Sequence, residues 1–476
     1  MISEPLIGGS GPVFLGMSGR LHGLQILACI AMALTCQLCC TASKARPDWF
    51  YEISLPPDVT GTSINTKDDS TVYSSLWWHN TMFYALLDSI SNSQSLPPAL
   101  SMNCALIGLP TSDARSFINN TRATWVPGVS LLIDYPFAAY PDNFGHWAEL
   151  LLPIYNVIEE RTCSQGHAVA SGRIDSLVMT NVRKQSLVGL DWFWEMLKLV
   201  LASAVPPGRD LPRVIFSEHL SHLPRDTWLG FEAAVVVHTR YARGDGRSGF
   251  ASPDLGQRLR RLAFTSHGMQ PPEQAQLPRT ITVFRAAEGE EVVNSDELMG
   301  AMRDIGQTFG MAVRPYTATP RAPFESYLSV MARTGVLVSR HGPFLANSIF
   351  LPPGAMVVEL LPYNWEWKGV SRIYKNITSS MGDIHHFAWR AKHPKWAVYP
   401  SQHEARYAEW TAEECVGSDC LDVHARAAMR VDVATVQELI VESLPGCLRG
   451  QDVEELEKPW PELVKSAGST GLWWDK

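Results

Sequence analysis

The sequence predicts an α/β protein in two halves, each a mainly parallel sheet flanked by helices. Three observations carry that expectation. The chain has 476 residues, beyond the roughly 250–300 at which a single hydrophobic core stops growing, so two domains are expected. From about residue 76 onward, short β-like runs alternate with apolar runs at helical spacing, the pattern of parallel strands joined by right-handed crossovers. The stretch 266–279, "SHGMQPPEQAQLPR", is polar and rich in Pro and Gln, and reads as a linker between the halves.

The elements follow in chain order. Residues 1–20 form a tail. Leu21–Cys40, "LHGLQILACIAMALTCQLCC", is apolar and uncharged apart from His22, and follows Arg20. About 17–20 such residues marginally span a bilayer, and they also suit a signal-peptide core. A type II signal anchor is the first reading; a signal cleaved near Ala42 is the second. Either implies the secretory route: the Golgi or endoplasmic reticulum membrane for an anchor, secretion for a cleaved signal. Residues 41–75 read as a polar stem. In the first half, 76–265, strands are expected at 129–136, 173–180, 212–218 and 231–237, and helices at 143–160 and 191–204.

The second half, 280–400, is cleaner. "TITVF" (280–284) is a strand, and 295–309 a helix with Ser295 as N-cap and acids in its first turn. A strand at 310–315, a helix at 324–334 and a strand at 335–339 follow. Then come a short helix at 344–351 and a strand at 355–361. Two such halves describe a two-lobed, Rossmann-like enzyme. Within the C-terminal segment 401–476, residues 434–444 read as an amphipathic helix packing back on the lobes.

Composition excludes some classes. Net charge is -8 with acids and bases interspersed, so there is no basic footprint and nucleic acid is not an expected partner. Sixteen Trp fit a bulky core. Asn119 and Asn376 head N-glycosylation sequons. Beyond the apolar segment lie Cys104, Cys163, Cys415, Cys420 and Cys447. Cys415 and Cys420 are close enough in sequence to pair, Cys104 with Cys163 is a second option, and the odd count leaves one thiol over. A zinc site is not expected, because no second cysteine pair or nearby His completes four ligands.

Chemistry is expected at strand ends of the second half. Arg285 follows the 280–284 strand, Arg340-His341-Gly342 follow the 335–339 strand, and Glu359 lies near the end of the 355–361 strand. Ligands in such folds sit beyond carboxyl ends of strands. Gly342 allows close backbone approach or an unusual φ, and Pro343 suits the first helical position. The N–H groups of that helix start make an anion site, and Arg285 adds bidentate charge. The combination suits a phosphorylated or nucleotide ligand. The bland alternatives are a satisfied turn histidine and a Glu paired for structure alone.

The stretch "RTGVLVSRHGPFLANSIFLPPGAMVVELLP" resembles the signature of glycosyltransferase family 61, His-Gly-Ala-Gly-Leu-[Thr/Ser]-Asn, then Phe-x-Pro-Pro-Gly-Ala, then Val-x-Glu. Upstream, "TVFRAAEGEEVVNSDEL" is similar to the family's strand-Arg element followed by Asn-x-x-Glu-Leu, matching Arg285, Asn294 and Glu297. "PFESYLSVMA" takes the place of its Ser-Phe-Glu-Glu-Gln helix. "YPDNFGHWAELLLPIY" resembles its Asn-x-x-His-[Phe/Trp]-x-x-[Asp/Glu] segment, placing Asn143, His146 and Glu149. "LGFEAAVVV" looks like its Cys-Phe strand, with Leu229 where Cys is usual. The resemblance runs from about 130 to 362 in order.

It implies a lumenal, inverting enzyme of GT-B architecture with a cleft between an acceptor lobe (76–265) and a nucleotide-sugar donor lobe (280–400). The donor would be a UDP-sugar carrying a pentose or N-acetylglucosamine, and the acceptor a glycoprotein or polysaccharide. Arg285, Asn294, His341, Gly342 and Asn347 are assigned to donor binding, and Glu359 to the ribose hydroxyls. His146 and Glu149, spaced i, i+3 on one helical face, supply the base, either directly or with Glu149 orienting His146; Asn143 supports them. No Asp-x-Asp occurs in the sequence, so no metal or other cofactor is expected. Two departures stand out. Pro343-Phe344 replaces Ala-Gly, and the acidic "EGEEVV" replaces a second Arg. They leave a catalytically silent sugar- or nucleotide-binding scaffold on the same fold as the alternative. A hydrolase is not supported, for neither Gly-x-Ser-x-Gly nor His-Glu-x-x-His occurs.

Overall fold

A computed structural model describes Tyr51–Glu52, the strands within residues 64–133 and most of 140–457, the longest gaps in that last range being 164–173 and 238–248. Glu52–Lys476 is one compact unit. Leu21–Cys40, Asn119 and Cys104 lie outside the described residues. Among those described, no helix is long and apolar enough to cross a membrane.

The protein is mixed α/β with two main sheets. The first contains β1 (Ile64–Lys67), β2 (Ser70–Tyr73), β3 (Leu76–His79), β4 (Met82–Leu87), β5 (Leu106–Pro110), β6 (Arg122–Ile133), β7 (Ser176–Met179), β8 (Arg213–Phe216) and β9 (Thr227–Val237). Its main path runs β5-β4-β3-β9-β6-β7-β8. The β9-β6-β7-β8 portion is parallel, whereas β9 meets β2 and β3 antiparallel. The hairpin β1–β2 therefore corrects the stem expected over 41–75. From Ile64 onward its described strands belong to the sheet.

The second sheet contains β10 (Thr280–Arg285), β11 (Ala312–Thr317), β12 (Val336–Arg340), β13 (Met356–Leu361) and β14 (His385–Arg390). All pairs are parallel, in the order β11-β10-β12-β13-β14. The helices that matter here are α1 (Phe144–Cys163), α2 (Asp191–Ala202), α3 (Pro253–Ser266), α4 (Ser295–Phe309), α5 (Phe324–Met331), α6 (Ile373–Met381), α7 (Ser418–Arg426) and α8 (Val433–Leu448). The short helix expected at 344–351 is a 3-10 helix, Pro343–Phe350. Gly310 ends α4 in the left-handed region at φ 66°, a conformation glycine adopts without Cβ strain.

Alternation along the second sheet sorts two cores. Val336, Val338, Met356 and Val358 join α4 and α8 in one cluster. Leu337 and Val357, on the opposite face, belong to a larger cluster. That cluster continues without a break through the 3-10 helix, α5 and α6 into α1, α2, α3 and the first sheet. The expected pair of lobes is thus two sheets sharing a helical layer, not two separately cored bodies. Phe144 of α1 stacks on Trp192 of α2 at 5.1 Å and meets Tyr327 of α5 edge-on. Asp191 accepts from the Phe324 backbone N–H at 2.7 Å, so α2 caps α5.

Arg260, 3% exposed, secures the same layer. Its guanidinium meets both Asp383 oxygens at 2.7 and 2.8 Å, and its Nε donates to the Ile349 carbonyl at 3.0 Å. Arg260→Met leaves Asp383 uncompensated and is expected to cost about 3–5 kcal/mol, read by urea unfolding. A loss below about 1 kcal/mol, the scale of an exposed pair, would contradict this role.

Candidate active site at the carboxyl edge of the second sheet

The second sheet has sequence order 2-1-3-4-5, so crossover direction reverses between β10 and β12. Such a switch point opens a crevice beyond the carboxyl ends of the strands. Arg285 closes β10, Arg340 closes β12 and His341 follows it. Arg285 stays partly exposed, with one long contact of 3.5 Å to the fully exposed Asp296, and so remains available to an anion.

Below this edge lies a buried polar chain. Register sets Ser339 opposite Glu359, and puts His386 opposite Val357, two residues before Glu359 on the same face. The Glu359 carboxylate accepts from both flanking histidines: His341 Nδ1 at 2.5 Å on Oε1 and His386 Nε2 at 3.0 Å on Oε2. The other nitrogen of His386 meets Thr378 Oγ1 of α6 at 2.7 Å. Burial alone would raise the Glu359 pKa. The charge and hydrogen bond of His341, joined by those of His386, override it and hold the carboxyl down at about 2.

Several expectations change here. Glu359 is fully buried with both oxygens engaged, so it cannot meet a ribose; it positions His341. Asn347 is also fully buried. Its Oδ1 accepts from Trp192 Nε1 at 2.9 Å and its Nδ2 donates to the Phe344 carbonyl at 3.0 Å, which ties the 3-10 helix to α2 instead of facing a ligand. Asn294, rather than Ser295, occupies the N-cap position of α4. Its amide pairs at two points with the Val431 backbone, both at 2.9 Å, and also reaches Glu297 at 3.0 Å, so it clips the C-terminal segment in place. Gly342 is extended at φ 175°, ψ 173°, a backbone open to any residue. Phe344 turns inward and stacks on Phe284 with centroids 3.8 Å apart; its bulk belongs to the core.

The other expected cluster sits at the start of α1. Asn143 caps the helix, accepting from the His146 N–H at 3.1 Å. His146 Nδ1 and Glu149 Oε2 are 3.2 Å apart, with side-chain exposures of 21% and 5%. Of the two, the imidazole therefore has surface to offer, while the carboxylate fixes its tautomer. Tyr374 joins this cluster to the first. Its ring lies 5.0 Å from the His341 ring, and a Cβ on Gly145 would stand only 2.2 Å from its hydroxyl. Only glycine at 145 lets the tyrosine reach α1.

Sequence reasoning missed Tyr374, Thr378 and His386. The available signal was a histidine pair, His385-His386, opening an otherwise apolar strand. Asn376 of the second sequon lies half-buried within α6, and its Thr378 is fully buried on His386. Cys415 and Cys420 form a disulfide. Cys447 is a buried free thiol, and the Cys104–Cys163 option falls outside the described side chains.

No protein-family model matches the chain. Two groups of curated proteins do. Protein O-linked-mannose beta-1,4-N-acetylglucosaminyltransferase 2 of Takifugu rubripes is 35% identical over 111 residues, 23% of this chain and 18% of that protein. EGF domain-specific O-linked N-acetylglucosamine transferase of Mus musculus is 32% identical over 132 residues, 28% and 23% of the two chains. Its Bos taurus counterpart is 28% identical over 182 residues, 38% and 31%. The matched stretches thus span under a third of these relatives' lengths. Both groups are N-acetylglucosaminyltransferases by name and members of glycosyltransferase family 61, which bears out the resemblance read from the motifs.

Proposed function

We propose that this protein is an inverting glycosyltransferase moving N-acetylglucosamine or a pentose from a UDP-sugar to a glycoprotein or polysaccharide hydroxyl. The observation that carries the reading is the arrangement of two histidine–carboxylate pairs, His341–Glu359 at the switch-point edge and His146–Glu149 on α1, joined through Tyr374. The names of the relatives support the same reaction class.

In this mechanism the diphosphate lies beyond β10 and β12, met by the Arg285 guanidinium and by the His341 ring, which Glu359 holds in place. The acceptor hydroxyl approaches from the α1 side. His146 takes its proton as the oxygen bonds to the anomeric carbon, and the bond to the β-phosphate oxygen breaks on the opposite face. UDP leaves with the electron pair. No metal ion is invoked, since the leaving charge is met by side chains and the sequence has no Asp-x-Asp. The overall frame would be of the GT-B kind, held in the lumen of the Golgi or endoplasmic reticulum by Leu21–Cys40.

The test is release of UDP from a panel of UDP-sugars, with and without chelator. Release from UDP-N-acetylglucosamine or a UDP-pentose, unaffected by chelator, is expected. Thermal stabilisation by UDP without turnover of any donor would leave a nucleotide-binding scaffold instead, and chelator-sensitive release would overturn the metal-free step.

A further inference from the structure

We propose that Cys415, Cys420 and His424, when the disulfide is reduced, form a binding site for a soft d10 cation, Zn²⁺ or Cu⁺. Cys420 and His424 stand i, i+4 on α7 and so share one helical face. Cys415 comes from the 3-10 turn Glu414–Val416 just before it. One ligand atom from each residue lies within 4.8 Å of the other two, and all three residues are buried. Sulfur and nitrogen ligands held at about 2.3 and 2.0–2.1 Å from zinc are themselves roughly 3.5–3.8 Å apart, so small side-chain shifts close the set. His424 is buried, with Nδ1 3.3 Å from the Tyr399 hydroxyl and the ring in contact with the Tyr407 backbone; beyond these, Nε2 makes no well-formed hydrogen bond, which leaves that nitrogen open to an ion. Two thiolates and an imidazole select thiophilic cations over Mg²⁺ or Ca²⁺.

Disulfide and cation are alternative states of one sulfur pair. A thiol reductant supplies two electrons and two protons to the Sγ–Sγ bond and is itself oxidised to a disulfide. Cation binding then releases the two thiol protons. The pair belongs to a small satellite core with Tyr407 and Val423, too small to hold itself together without a staple. That satellite reaches the candidate active site. The Ala425 carbonyl of α7 accepts from Arg340 at 2.7 Å, and the His424 ring packs against Tyr363 at 5.8 Å.

The full chain, reduced with dithiothreitol and desalted under nitrogen, should be loaded separately with Zn²⁺ and Cu⁺ and assayed for metal per chain. Reduced protein is expected to hold one equivalent more than the Cys415→Ser/Cys420→Ser variant, and the oxidised protein no more than that variant. The cation retained with the higher affinity identifies the native ligand. His424→Gln, which keeps the cysteine pair, should weaken binding at least tenfold against a chromogenic chelator. Equal metal content in reduced wild type and the double variant would overturn the site. So would unchanged affinity in His424→Gln, a comparison that holds even if the double variant fails to fold.

Discussion

Replacing Glu359 with alanine is expected to destabilise the fold by about 3–5 kcal/mol, because it strands two histidines around an empty buried position. Urea unfolding measures this. The pH dependence separates charge from packing. Glu359 carries a folded pKa lowered from an ordinary value near 4.5 to about 2. Its stabilising contribution is therefore complete above about pH 4.5 and is lost as pH falls towards 2. The linkage corresponds to about 3 kcal/mol across that window. Glu359→Gln keeps the shape but cannot ionise, so the stability gap between wild type and variant should close below pH 4.5. A gap that stays constant from pH 6 to 2.5 would show that packing, not charge, holds His341.

His146→Ala is expected to lower kcat by about 10²–10⁴-fold, the usual contribution of a positioned general base. Because the buried Glu149 loses this partner, some folding stability should be lost as well, so kcat is compared at a temperature where circular dichroism shows the variant folded. Glu149→Gln should lose less, because it loosens the orientation of the imidazole without removing it. The double variant should be no worse than His146→Ala alone, as groups acting in one unit are not additive. Wild-type turnover by a well-folded His146→Ala protein would eliminate it as the base.

The second sheet was legible because its strands are buried on both faces and read as continuous apolar runs; four of its five were anticipated. β14 was not, since His385 and His386 break its hydrophobic pattern. α3 was missed for a related reason. Arg260 faces the core and Gly256 sits on the helix's buried side, so the expected 3.6-residue apolar stripe is interrupted. At the site, strand ends correctly brought His341 and Glu359 to one place. What strand ends cannot tell is which way a side chain points. Glu359 and Asn347 turned inward, and Asn294 went to the Val431 backbone. His424, one helical turn beyond Cys420, was set aside because with the two cysteines it makes three ligands and not four.

The contact between Tyr374 and Gly145 has a mechanical meaning. Tyr374 and Thr378 are one turn apart on α6, and the threonine hydroxyl meets the Tyr374 carbonyl at 2.9 Å. One end of that turn presses on the α1 backbone and the other grips His386, and through it Glu359. A single helical turn therefore works as a rigid gauge block between the two histidine pairs. Their spacing is set by the length of one tyrosine, with a lone hydrogen atom on residue 145 as the tolerance.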